Sequence, residues 1–421
     1  MNVEHLVVVG ASLAGLRAVE AARKTGFSGS ITLIGAEQHL PYDRPPLSKA
    51  FLDPLDGDAR PEQPYFRSPE IYADELAVDL ILGEPATGLD TARRVVQVGE
   101  RTVPYDALVI ATGAWARTLP GTEHLAGVHG LRTLDDALAV RTALDAGART
   151  VVIGAGFIGS EVASAAKKRG LDVTVVEALP TPLVRATGTR MGAAIAALHE
   201  HNGTRLLCGS GVRSVEGTGR VERVVLDDGT VLDADLVVVG IGATPAVQWL
   251  EGSGLKLDNG IVCDAYLNTG VDGVYAAGDV ANWFNGVLDR RQRLEHWTSA
   301  AEQGAAAARN ALDPDHAKPY GTVPYFWSDW YDSRIQFVGS PQADEVRLVD
   351  GAADRDRRWV ALYRSGDHVI GALAVNGQTE IMKYRGLIQR RARWDEALAF
   401  AEKRRELAAA KAAAAQAGAA A

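Results

Sequence analysis

One pattern occurs twice in the chain and narrows its fold more than any other feature. Residues 6–26 read LVVVGASLAGLRAVEAARKTG and are followed by ITLIGAE at 31–37; residues 150–170 read TVVIGAGFIGSEVASAAKKRG and are followed by VTVVEA at 173–178. Each copy runs through an apolar strand, a small-residue turn, an alanine-rich helix, a glycine stop and a second strand ending in an acid. An acid about 20 residues beyond the glycines is what a dinucleotide-binding β-α-β unit requires. A single copy is compatible with an ordinary β-α-β turn. Two copies, each with its acid, predict two nucleotide sites.

The residue types follow from the chemistry. Gly10 and Gly154 permit the tight strand-to-helix turn. Gly156 lets the backbone approach a pyrophosphate, and Ser12 stands in that place in the first copy, a departure from the glycine pattern. Gly15 and Gly159, the latter beside Ile158, let the helix pack close to the sheet with its first N–H groups aimed at phosphate. Glu37 and Glu177 are placed to accept hydrogen bonds from an adenosine ribose. A carboxylate at 177 repels a 2′-phosphate, so NADH is expected over NADPH. The next basic residue, Arg185, either reaches a phosphate or is a surface arginine. Two further apolar runs, YDALVIATGAWARTLPG (105–121) and ADLVVVGIGATPAV (234–247), end in glycine turns at Gly113 and Gly242. A last one, GVYAAGDVA (273–281), brings up Asp279, either a helix N-cap or a ligand of a flavin ribityl chain or pyrophosphate.

Composition sets the outer bounds. A chain of 421 residues suits two or three domains, and 47% hydrophobic with 23% charged residues is that of a soluble globular protein. A net charge of −9 argues against general attraction to nucleic acid or anionic membrane. Cys208 and Cys263, without metal-ligand spacing, argue against a disulfide framework, a zinc site or an iron–sulfur cluster held by this chain; no metal is expected. The start MNVEHLVVVG reads as a first strand rather than a signal peptide, and no apolar run reaches a membrane span, so a cytoplasmic location is expected.

Taken in order, VVVGASLAGL, PYDRPPLSK, ATG, GAGFIGSE, GIGATP, AAGD and PYFWSD make the chain resemble the NADH-dependent ferredoxin reductases of bacterial oxygenase systems, of the putidaredoxin and rhodocoxin reductase type. The resemblance runs from about residue 5 to 395. It implies an α/β fold like that of glutathione reductase: two Rossmann-like domains, for FAD and NAD, and a C-terminal α+β interface domain. The implied boundaries are 1–114 and 247–320 for FAD, 115–246 for NAD, 321–395 for the C-terminal domain and 396–421 for an alanine-rich helical or frayed tail.

The resemblance also implies roles. The stiff segment PYDRPPLSK (41–49) lies against the flavin, with Arg44 neutralising FAD phosphates and Lys49 near the isoalloxazine N5 edge. Glu161 contacts the nicotinamide region and pairs with Lys49, so these two are the expected catalytic residues; on the residues alone, Glu161 equally suits the helix dipole and Lys49 a cap on the first helix. Further implied flavin contacts are Ala14, Ala86, Thr112, Arg132 and Trp297; Arg132 also reads as a charge ahead of a helix, and Trp297 as core. Trp327 matches the family. Trp330 stands where the family has Gln, and either stacks at the flavin, the placement favoured here, or fills the core.

The implied activity is an FAD-dependent transfer of hydride from NADH, with single electrons leaving to a small 2Fe-2S ferredoxin that serves a haem-thiolate monooxygenase or a ring-hydroxylating dioxygenase. Docking is expected near Arg290, Arg291, Lys383, Arg390 and Arg391; charge alone favours a solvated surface, and the resemblance, which places the adjoining segments beside the flavin edge, favours docking. An NADH oxidase or a disulfide reductase would need a cysteine near Lys49, where the sequence has none. A slow NADH-binding flavoprotein resembling apoptosis-inducing factor is the remaining alternative.

Overall fold

The computed structural model describes residues 3–55, 59, 61–353 and 357–419, with side chains to 410. They divide into two compact units. One comprises Met1–Thr118, Gly130–Leu138 and Ile241–Thr322; the other comprises Leu119–His129, Ala139–Gly240 and Val323–Ala421. The strands that follow residue 322 thus group with the second nucleotide unit, and 130–138 with the first.

The first unit is built on five parallel strands in the order Val274–Ala276, Ala107–Ile110, His5–Val9, Ser30–Gly35, Val78–Leu82. The second has Val128–His129, Leu236–Val239, Thr150–Ile153, Val173–Glu177 and Arg205–Cys208 in the corresponding places, again parallel. In both units a three-stranded antiparallel meander follows the edge strand, over 86–104 after Val78–Leu82 and over 212–233 after Arg205–Cys208. The repeat visible in two short stretches therefore extends over each whole sheet. Leu6–Val9, Ala107–Ile110 and Leu236–Val239 are buried along their entire length. That is why these strands read as unbroken apolar runs rather than alternating ones, as in parallel sheets covered on both faces.

Small residues bring the helices together. In the first unit, Leu13–Lys24 packs against Trp297–Leu312 so closely that a Cβ on Gly304 would lie 2.0 Å from the carbonyl oxygen of Ala14. The C-terminal part of the second unit is an antiparallel sheet in the order Tyr325–Trp330, Ser333–Gly339, His368–Val375, Trp359–Ser365, Glu345–Asp350, followed by the helices Gln378–Gln389 and Trp394–Ala419. The last helix starts packed: Ala397 and Ala401 are buried, Phe400 meets Tyr384 edge-on at 5.6 Å, and Arg404 donates to both oxygens of Glu380 at 2.7 and 2.8 Å. From Arg405 to Ala410 its side chains are exposed, in line with the poor apolar face of the tail. The side chains from 411, and residues 420 and 421, lie outside the described residues.

Two glycines separate packing from propensity. Gly304→Ala should destabilise the protein by about 3 kcal/mol, because its methyl has backbone as its neighbour. Gly386→Ala, in the open on the helix Gln378–Gln389, should stabilise it by about 1 kcal/mol through helix propensity. Denaturant unfolding of both variants checks this; equal effects would contradict the assigned helix contact.

Candidate functional site

Both nucleotide turns have the same construction. The N–H of Gly10 donates to Ile34 O, and that of Gly154 to Val176 O, each at 2.7 Å. Both glycines have positive φ, +118° and +102°. A Cβ on Gly15 would lie 1.9 Å from Gly10 O, and one on Gly159 2.2 Å from Gly154 O. The helices start after Ser12 and Gly156, both extended, without a side-chain cap and without an acid in the first turn. Uncapped N–H groups at such a start suit an anionic diphosphate. The extended backbone at Ser12 explains why a serine is tolerated where the pattern expects glycine. Ile158, in the first turn of the second helix, is 38% exposed.

In the first unit the loop 41–49 ties distant segments together. Arg44 donates to Glu37 Oε1 at 2.6 Å, Arg132 O at 2.5 Å, Tyr42 OH at 3.1 Å and Ser12 Oγ at 3.2 Å. Tyr42 donates to Glu37 Oε2 at 2.6 Å and accepts from Leu134 N–H at 3.0 Å. Burial opposes the charge of Arg44, but Tyr42 and Glu37 outweigh it and hold its pKa above the ordinary value. Arg44 and Glu37, expected at phosphate and ribose, are thus paired with each other at a reach of only seven residues.

Several of the other residues expected at the flavin are joined to one another or to the 41–49 loop. Arg132 pairs with Asp279 at 2.9 Å, across 147 positions of sequence. Asp279 sits inside a short 3-10 turn, Gly278–Val280, and does not cap a helix. Trp297 donates through Nε1 to Asp43 Oδ1 at 2.7 Å, so its indole is anchored to the 41–49 loop rather than simply buried. Lys49 closes the turn Pro45–Ser48, donates to Pro45 O at 3.3 Å and bears electrostatically on Asp43. Gly113, with φ +70°, faces Arg132 Nη2; Thr112 donates to Ala246 O at 2.9 Å; Gly242 accepts from Arg117 N–H at 3.0 Å. Ala14 is spent in the helix contact with Gly304, and Ala86 opens the meander half-buried. Tyr42 and Asp43 were missed as individual residues although they lie in the segment that the sequence marks.

The second unit places Glu177 at the end of its strand, where it accepts from Ala155 N–H at 2.8 Å and Leu179 N–H at 2.9 Å. Arg185 is exposed on the short helix Val184–Thr187. Glu161 is only 2% exposed; its Oε1 accepts from Ser328 Oγ at 2.5 Å and Asp329 N–H at 3.2 Å. Trp330 has no exposed surface. It packs with Leu183, Met191, Ile195 and Phe337, its ring 4.9 Å from that of His199. That overturns the expectation that it stacks at the flavin: strand alternation turns it inward. His199 is fully buried between Ser160 Oγ (3.1 Å) and Tyr331 OH (2.7 Å), and burial pushes its pKa down to about 4. No sequence signal links these, because His199 is 39 residues from Ser160 and 132 from Tyr331.

Cys208 is half-buried, and burial and Glu177 raise its pKa; Cys263 is buried and pushed up to about 12. Neither is an activated thiol. Arg291 donates to Cys263 O and Asn282 O, and burial lowers the pKa of its neighbour Arg290. In the second unit Lys383 pairs with Glu380 at 3.4 Å, and Arg390 pairs with Glu396. Arg390 and Arg391 are exposed.

Comparison with known proteins gives two family matches, pyridine nucleotide-disulphide oxidoreductase over residues 4–304 and reductase C-terminal over residues 325–410. The chain is 37% identical to rhodocoxin reductase of Rhodococcus erythropolis, over 91% of this chain and 89% of that protein. It is also 37% identical to the ferredoxin–NAD(+) reductase component of the anthranilate 1,2-dioxygenase system of Burkholderia cepacia, over 92% and 95%. Among solved structures, the covalent putidaredoxin reductase–putidaredoxin complex matches with a TM-score of 0.86 at 33% identity, over 92% of this chain and 93% of that one.

The buried imidazole makes a prediction about acid stability. Unfolded, His199 takes a proton below about pH 6.5; folded, only below about pH 4. Its contribution is therefore complete above pH 6.5 and is lost as pH falls toward 4, by roughly 3 kcal/mol at most. His199→Gln should lose less unfolding free energy than wild type between pH 7.5 and 4.5, by about 2 kcal/mol. Equal losses in urea titrations at the two pH values would contradict a neutral buried imidazole.

Proposed function

The chain belongs to the pyridine nucleotide-disulphide oxidoreductase family, and from that premise we propose that it is an FAD-dependent NADH:ferredoxin reductase. One observation carries the reading: two complete nucleotide-binding sheets occur in a chain whose loop 41–49 holds no cysteine and whose two thiols are both held protonated. Electrons taken from a nicotinamide then have no disulfide to enter and must go to an external acceptor. The two relatives named above are ferredoxin-linked reductases of oxygenase systems.

The residues fit the two groups. The Gly10 turn and the uncapped helix behind Ser12 suit the FAD diphosphate, with Arg132, Asp279, Thr112 and Trp297 lining the same unit. The Gly154 turn suits the NADH diphosphate, with Glu177 against a 2′-phosphate. Lys49 in the first unit and Glu161 in the second are the charged residues proposed for hydride transfer. When bound, FAD supplies the conversion between the two-electron chemistry of NADH and single-electron transfer. The role of the protein is to bind, orient and keep each charge where it is needed. The acceptor is proposed to be a small acidic 2Fe-2S ferredoxin in the cytoplasm, steered by local basic charge, with Arg390 and Arg391 the most accessible candidates, since net charge cannot attract it. Among the described residues no helix is long and apolar enough to cross a membrane.

Cytochrome c reduction tests the proposal. With NADH, adding a 2Fe-2S ferredoxin should raise the rate at least about tenfold, and NADPH should be the poorer donor. Reversing Arg390 and Arg391 to Glu should raise KM for ferredoxin at low salt and leave NADH–ferricyanide activity intact, because screening shortens from about 10 Å at 0.1 M salt to about 3 Å at 1 M. Slow flavin reduction without stimulation by ferredoxin would instead favour an NADH-binding sensor.

A further inference from the structure

We propose that Trp330 is a positioning residue that sets the Glu161 carboxylate, through Ser328, for the nicotinamide cofactor. The inference rests on the reading above, in which Glu161 serves hydride transfer.

The directions of the hydrogen bonds are forced. Trp330 is fully buried, so its indole N–H must find an acceptor inside the protein. It donates to Ser328 Oγ at 2.9 Å. An indole N–H can only donate, so Ser328 accepts there, and its single proton is left for Glu161 Oε1 at 2.5 Å. The Asp329 N–H donates to the same oxygen at 3.2 Å, which fixes the carboxylate plane against the strand Tyr325–Trp330. Bonds of this kind, ionic on one side and shielded from water, are the strong ones.

The preceding residue is held by the same strand connection. His199 is held between Tyr331 OH at 2.7 Å and Ser160 Oγ at 3.1 Å, and the Tyr331 OH also meets Thr204 Oγ1 at 2.7 Å. The Tyr331 N–H also donates to Ser164 Oγ at 3.0 Å. Trp330 lies over the imidazole that grips residue 160, while its N–H governs the hydroxyl that grips residue 161. One side chain thereby sets two successive positions of the helix Phe157–Lys168.

The test uses the flavin-loaded protein with Trp330→Phe, Trp330→Gln, Ser328→Ala and Glu161→Gln, and the doubles that combine Glu161→Gln with Trp330→Phe or Ser328→Ala. Calorimetric titration with NAD+ reads binding; stopped-flow reduction by NADH reads hydride transfer; thermal melts check the fold. Trp330→Phe and Ser328→Ala should each weaken NAD+ binding and slow reduction by about three- to tenfold. Trp330→Gln, which keeps an N–H donor, should recover most of the loss. In the Glu161→Gln background neither substitution should add a further effect. Ser328→Ala carries the test if Trp330→Phe melts early. Wild-type binding and rate in both Trp330→Phe and Ser328→Ala, or the same loss with and without Glu161, would overturn the proposal. Wild-type behaviour of Glu161→Gln itself would instead remove the role assigned to Glu161, and this inference with it.

Discussion

The structure depends on how close a helix can come to the strand that precedes it. Gly15 rests against the carbonyl of Gly10, and Gly159 against that of Gly154, at separations that leave no room for a Cβ. That contact sets the helix start at the carboxyl edge of each sheet, where its N–H groups face outward. The neighbouring strand ends, Glu37 and Ala111 in one unit and Glu177 and Gly240 in the other, are then brought to the same edge by parallel register. A single backbone constraint, met twice, places both candidate nucleotide sites.

Beyond that edge the two units diverge in how they use their acids. Glu37 is tied to Arg44 and Tyr42 and so becomes an anchor for the loop 41–49 and the segment 130–138. Glu177 keeps to backbone N–H groups, that of Ala155 in the Gly154 turn and that of Leu179 just beyond its own strand. The first unit is thus organised by side-chain ion pairs that join remote stretches. The second is organised by a buried network of hydroxyls, one imidazole and one carboxylate around residues 160 and 161. In both, the thiol chemistry typical of flavin disulfide enzymes has no place to occur, since burial keeps Cys208 and Cys263 protonated.

How much of this was legible follows from distance along the chain. The glycine turns and strand-end acids are local patterns of about 30 residues, and they were read directly from the sequence. The meanders and the full strand order were not, because register arises from pairing between strands far apart. Arg132 with Asp279 was foreseeable as two members of one site, though not as an ion pair. The phosphate role of Arg44 came from the resemblance; its pairing with Glu37, seven residues away, is a side-chain contact that no motif announces. Trp330 shows the limit most plainly. An aromatic residue in an aromatic-rich strand that the resemblance sets beside the flavin favours the flavin face, and alternation along Tyr325–Trp330 puts it in the core instead.

The central claim is that the chain passes electrons out through one flavin with no thiol pair of its own. Anaerobic titration of the flavin-loaded protein with dithionite tests it most directly. Complete reduction should require two electrons per flavin. Consumption of four would reveal a second, disulfide-like acceptor within the protein and would contradict the account.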